Sequence, residues 1–410
     1  MGTALRWTLL AAAVVALIAL PPDSRHFNPA QREGAPYLYN ITFWELSNIA
    51  DKWTAKAKSL LNRDAVAARV RDTRDYLAVN KEMANVRGKL RQASARNLHE
   101  ETAKMQALLD DTEAQAESLS GGAEETVEAY ISAVLVEEGL GLFGEVVFPP
   151  VDVRLTQPPK LLIVSPRERI HRTHDVLLRS DMSLVERERV EYRIFRDDNM
   201  SALVEDIGGL ATYPASVANG FSIRWTVQAG AHEWLHHYFF FKPLGQHMFD
   251  NDDMFQLNET IANVAGREIG DRVFEAMVED SLVQAQANEG AAPNGTAGPP
   301  PFDFAAEMRE TRLTVDVMLA EGRVEEAEAY MEERRGLFVK NGYPIRKLNQ
   351  AYFAFYGTYA DLPAAVSPIG DQVKRFRELV PDLGEFLGEV SEISSYEEFL
   401  KMLEQLEEEN

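Results

Sequence analysis

The chain contains no cysteine, so disulfides and thiolate chemistry are excluded and redox logic leaves the compartment open. Positive charge is in short supply: 42 Lys and Arg stand against 65 Asp and Glu, a formal net charge of −23. That balance repels phosphate, which argues against nucleic acid as a partner and against wide contact with anionic lipid. Long apolar runs are also scarce. The best, Trp7 to Leu20, has Arg6 before it and Pro21-Pro22 after it, and falls short of the roughly 20 residues that comfortably span a bilayer. Proline is missing from Thr42 to Glu117, a stretch rich in Ala, Leu, Lys, Arg and Glu in which Gly88 is the one glycine. Apolar positions such as Leu60, Val66, Val70, Leu77, Met83 and Leu90 recur there at helical spacing, so the segment is expected to be helical.

What is present is more telling. His232-Glu233-Trp234-Leu235-His236 is an H-E-x-x-H sequence, and with 8 His in 410 residues random placement gives fewer than about 0.03 copies per chain. On a helix, positions i and i+4 share a face, so both imidazoles can reach one ion. The glutamate after the first histidine then sits beside the ion's open position and can serve as a general base. The preceding stretch, Asn219 to Gln228, alternates aromatic and β-branched residues and predicts a strand. The apolar run Trp234 to Phe241 predicts a helix buried on most sides, ended by Pro243 and Gly245.

A catalytic zinc takes three protein ligands and keeps one position open. The best third ligand is Glu259, 23 positions after His236 in Gln256-Leu-Asn-Glu-Thr-Ile-Ala-Asn-Val-Ala-Gly266, a segment with helical spacing. With Asn258-Glu259 in place, the sequence resembles the gluzincin metallopeptidases, in which an N-E-x-x-A type helix supplies a glutamate ligand. Together with Lys347-Leu-Asn-Gln-Ala-Tyr-Phe-Ala-Phe-Tyr-Gly-Thr-Tyr359, it is similar to a little-characterised group of predicted bacterial zinc aminopeptidases. The resemblance covers roughly residues 215–380. It implies zinc held by His232, His236 and Glu259, with Glu233 as the base that takes a proton from water and delivers it to the departing amine. It also implies a thermolysin-like core, and places Tyr352, Tyr356 and Tyr359 near the site as candidate oxyanion donors. Where the gluzincin pattern often has an aspartate orienting the first histidine, this chain has Asn263.

Other histidines and acids read as structural or solvated groups, His237 being a weaker oxyanion candidate than the tyrosines. His237 points about 100° away from the ligand His236. His171 and His174 lie in a charged stretch, and His247 with Asp250, Asp252 and Asp253 lacks the ligand spacing and glycine of an EF-hand.

The expected fold class is α+β and helix-rich: a small, mainly antiparallel sheet over Val147–Val227 beside the two ligand helices, with a long N-terminal helical region. The divisions are 1–22, a hydrophobic anchor or signal segment; 23–120, helical; 121–287, the sheet and zinc-binding core; 288–303, a flexible Gly/Pro/Ala-rich insert; and 304–410, a C-terminal helical subdomain. Within them, Gly121-Gly122 predicts a helix break, Val190–Phe195 a strand, Phe304–Lys340 one long helix and Lys347–Ala360 another. The run before Pro21 carries no small-x-small cleavage site, which favours an uncleaved anchor in a bacterial cell membrane with the bulk outside the cytoplasm; the alternative is secretion after signal cleavage. A peptide or protein is the expected substrate, and the N-terminal helices pack as a hairpin on the protein or, alternatively, self-associate. The competing function is a non-catalytic membrane-associated helical scaffold with a structural or vestigial zinc site. The intact Glu233 argues against it, because a structural site has no use for a base.

Overall fold

A computed structural model describes residues 27–45, 47–48, 65–142, 146–283 and 302–409. The N-terminal run 1–22 and nearly all of the insert 288–303 lie outside them. Among the described residues no helix is long and apolar enough to cross a membrane. The elements in chain order are α1 (Pro29–Gly34), α2 (Ala65–Ala95), α3 (His99–Glu137), β1 (Gly141–Leu142), β2 (Val146–Val147), β3 (Val153–Thr156), β4 (Lys160–Pro166) and β5 (His174–Leu178). Then come α4 (Leu184–Asp198), β6 (Met200–Asp206), β7 (Gly209–Leu210), β8 (Ala215–Ala218), α5 (Ile223–Phe240), α6 (Pro243–Gln246) and α7 (Asp252–Glu279). The chain closes with α8 (Phe304–Ala320), α9 (Val324–Lys340), α10 (Gln350–Tyr356), α11 (Ile369–Leu379), α12 (Leu383–Ser391) and α13 (Tyr396–Glu409). The architecture is helix-rich α+β.

Helices α2 and α3 form an antiparallel hairpin that turns at Asn97, whose φ of 56° is one that asparagine tolerates better than most residues. Tyr76, Met83 and Val86 of α2 meet Leu109, Val127 and Ile131 of α3 in the largest core, which continues into α5, α7 and α11–α13. Gly121-Gly122 does not break α3. Glycine inside a helix costs about 1 kcal/mol, and here the Gly122 carbonyl accepts hydrogen bonds from the hydroxyls of Thr73 on α2 and Thr126. Packing along the hairpin outweighs the local preference.

The small, mainly antiparallel sheet expected over Val147–Val227 is two three-stranded sheets, with β1 and β2 a separate pair. One, β5-β4-β6, is antiparallel; the other, β3-β8-β7, joins β3 to β8 in parallel and β8 to β7 antiparallel. Alternation along β4 serves two cores: Leu161 and Ile163 face α8–α10, while Leu162 and Val164 face α1 and α4. Val190–Phe195, expected as a strand, lies in α4. Ser183 and Glu186 make a capping box that starts this helix, and Asn199 at φ 54° ends it. The strand expected over Asn219–Gln228 is likewise displaced. The strand is β8, which stops at Ala218; Gly220 turns at φ 70°, and Ser222 caps α5 by accepting from the Trp225 backbone. The long helix expected over Phe304–Lys340 is two, divided at Gly322 with φ 75°, and only Gln350–Tyr356 of the next stretch is helical.

Candidate metal centre

The site is built where α5 crosses α7. Gly266 and Gly270 of α7 set the distance between them: a Cβ at 266 would lie 2.9 Å from both Cα and N of His232, and one at 270 would lie 2.4 Å from the Gln228 Cα. Seven residues before Gly266, two helical turns away on the same face, Glu259 points to the histidines. Nε2 of His232 and Nε2 of His236 stand 3.1 Å apart, and Glu259 places one carboxylate oxygen 3.7 Å from each. Ligands about 2.0–2.1 Å from one zinc ion in a tetrahedron lie roughly 3.3 Å apart, a value these separations bracket. The ligand side chains are only 12–14% exposed. Among the described residues this is the one group of His and acidic side chains arranged to hold a metal ion.

Burial, and then the neighbouring His236 ring, hold His232 well below its ordinary pKa. It is therefore a neutral imidazole, the form that ligates. Its ring also hydrogen-bonds the Ala262 backbone, which fixes its orientation through a peptide group, not a carboxylate. Asn263 does not serve His232 as the aspartate of the resembling pattern would. Its amide donates to both oxygens of Asp361, at 2.9 and 3.0 Å. Beside it Gln256 donates to the Gly357 carbonyl, the Thr260 hydroxyl accepts from the Ala360 N–H, and Arg267 pairs with Asp361. Residues 256, 260, 263 and 267 thus form one stripe of α7 that pins the segment 357–361 against the site.

That stripe holds one of the three tyrosines close to the histidines. Tyr359 is held with its ring 6.4 Å from the His232 ring; burial, then Glu259 and Glu233, push its phenol well above the ordinary value, so it keeps its proton. Tyr356 lines the same cavity, whereas Tyr352 packs in the α8–α10 core. Glu233 follows the first ligand into a cavity of about 1200 Å³ that also holds the triad. It is 7% exposed; burial, then Glu259, push its carboxyl well above the usual range. Gly209 of β7 makes room for it, since a Cβ there would lie 2.1 Å from its Oε1.

The remaining candidates stay apart. His237 is bound to the Thr212 carbonyl at 2.8 Å and ties α5 to the turn between β7 and β8. His171 lies 3.7 Å from Asp252, and His247 bonds Asp250 at 2.7 Å, both pairs at the surface. Asn258, which with Glu259 and Thr260 forms an N-x-T glycosylation sequon, is 1% exposed, so a glycan cannot reach it in the folded chain. Sequence reasoning missed Asp361 and the two glycines. A G-x-x-x-G spacing within α7 was the available signal for the glycines, and Asp361 had none.

Gly266→Ala is expected to push α7 off α5. Overpacking of this kind costs about 1–3 kcal/mol, and zinc affinity should fall by about tenfold or more as Glu259 retreats. A denaturation curve and a zinc competition titration check it; unchanged affinity would remove the glycine from the site's construction.

Compared with known proteins, the chain matches no family model, no curated protein and no solved structure.

Proposed function

We propose that this protein is a zinc-dependent peptidase of the gluzincin type, with His232, His236 and Glu259 as ligands and Glu233 as general base. The observation that carries the reading is the meeting of two imidazoles and one carboxyl group as ligand candidates with the non-ligating carboxyl of Glu233 in one cavity. His232, His236 and Glu259 would hold the zinc ion, which when bound would supply Lewis acidity for activating water near neutral pH and polarising a carbonyl. Glu233 takes a proton from water and passes it to the amine nitrogen as the amide bond breaks. Tyr359, protonated and beside His232, is the donor best placed to meet the charge developing on the carbonyl oxygen. The chain order of a strand (β8), the base-bearing helix (α5) and, after the short α6, the glutamate helix (α7) supports the gluzincin reading.

The direct test is metal removal. Chelator-treated protein is expected to lose peptide hydrolysis, one molar equivalent of zinc to restore it, and His232→Ala and Glu259→Ala to bind no zinc at stoichiometric concentrations. Hydrolysis by metal-free protein, or a native protein that takes up no zinc, would sink the assignment.

A further inference from the structure

Large aromatic side chains stand exposed at the mouth of the metal cavity. Phe249 is 82% exposed, Phe240 70%, Phe241 54% and Phe148 49%. They fall into two groups. Phe241 lies 5.3 Å from Phe148 and 5.2 Å from Phe240, ring to ring, and Phe249 lies 5.8 Å from Phe255. All five line the cavity that holds the triad and Glu233. The run Trp234–Phe241, expected to be buried on most sides, is therefore buried only as far as Phe239. Contiguous exposed apolar surface of this kind marks a binding site.

The charged groups of the same cavity say what kind of ligand fits. Asp175 is paired with Arg172, Asp206 with Lys160 and Arg187, and Arg267 with Asp361. Glu233 and Glu259 belong to the metal centre. Among the described residues lining the cavity, every carboxylate outside the metal centre already has a basic partner, and each guanidinium an acidic one. A peptidase that works from a chain end needs one or the other free, because a desolvated terminal charge without a partner is costly.

We infer that the cleft takes an internal stretch of extended polypeptide bearing large apolar side chains, seated between Phe148, Phe240 and Phe241 on one side and Phe249 and Phe255 on the other. Cutting rests on the peptidase reading; the grip does not. In the cut, water adds across an amide within the chain: the carbonyl carbon gains the oxygen and becomes a carboxylate, and the nitrogen leaves as an amine. A lipid surface fits the mouth less well. The aromatics line a concavity, and Asp250 and Asp252, with side chains 58% and 91% exposed, stand beside Phe249, where an anionic headgroup layer would meet them.

The test uses full-length Glu233→Gln protein, which should hold a peptide without consuming it. Two fluorescent peptides of equal length, both acetylated and amidated, are compared by anisotropy, one alternating Phe, Leu and Val, the other built from Ser and Gly. The apolar peptide is expected to bind at least about tenfold tighter. Phe240→Ser with Phe249→Ser should remove that advantage while zinc content and melting temperature hold, since both side chains are already exposed. Wild-type protein should cleave the blocked apolar peptide internally. Equal affinities, an unchanged double variant, or cleavage that demands a free terminus would overturn the inference. So would a double variant that loses only its sedimentation with phosphatidylcholine vesicles. A protein that grips the apolar peptide yet holds no zinc and cuts nothing would sustain the grip and sink the peptidase reading alone.

Discussion

Glu233→Gln is expected to lower kcat for peptide hydrolysis by about 10³-fold or more, with zinc still bound at one ion per chain. General acid–base groups contribute roughly 10²–10⁴-fold, and Glu233 is asked to act twice, first on water and then on the leaving amine. Glutamine keeps the shape that fits against Gly209, where a single added carbon would already collide with the side chain. It also leaves the three ligand atoms untouched, so the variant separates proton transfer from metal binding. Glu259→Gln gives the contrasting result, loss of metal and activity together. Metal content by atomic emission and single-turnover hydrolysis are the two measurements. A Glu233→Gln protein with full activity would move the base elsewhere, and one without zinc would make Glu233 part of the binding site.

The histidine pair of the candidate metal site was legible because helical geometry is local: i and i+4 meet whatever the rest of the chain does. Glu259 was legible through its Asn258-Glu259 context, and the structure brings its carboxylate within 3.7 Å of both histidines. Errors came where alternation was taken as the mark of a strand. Phe221, Ile223, Trp225 and Val227 alternate, but the Ser222 cap commits the last three to α5, and Phe221, just before the cap, stacks on Trp225 with ring centroids 4.1 Å apart. Val190 and Ile194 alternate with polar residues and yet pack from one face of α4 beneath β4 and β6. In both places a serine cap was the stronger signal. The support of the site was not legible at all. Gln256–Gly357, Thr260–Ala360 and Asn263–Asp361 join residues about 100 positions apart, and no local pattern announces such pairs. The same holds for the aromatic mouth, since nothing in a run of phenylalanines says which of them will face water.

Glu191→Ala is expected to destabilise the protein by about 3–5 kcal/mol at neutral pH, the cost typical of breaking a buried ion pair from one side. Glu191 lies on α4, 1% exposed. Its carboxylate accepts from Arg346 and Lys347, and from the Val204 N–H at 2.8 Å. Arg346 in turn donates to the Val204 carbonyl, so one carboxylate ties α4, β6 and the segment leading into α10. Burial alone would raise the Glu191 pKa, but Arg346, Lys347 and the hydrogen bonds overcome it and bring it down to about 2. An unfolded glutamate titrates near about 4.3. The folded value is the lower one, so the pair's stabilisation is fully present above that unfolded value and is lost as pH falls toward 2. The gap between wild type and variant in denaturant midpoint should therefore be widest near neutrality and narrow steadily below pH about 4. Removing the charge from both sides tests whether the ion pair or the packing matters. Glu191→Leu with Arg346→Leu is expected to recover most of the loss at pH 7, because the large penalty belongs to a buried guanidinium left without its partner. If the single variant were as stable as wild type, or its deficit did not shrink in acid, Glu191 would not be the carboxylate that holds these three elements together.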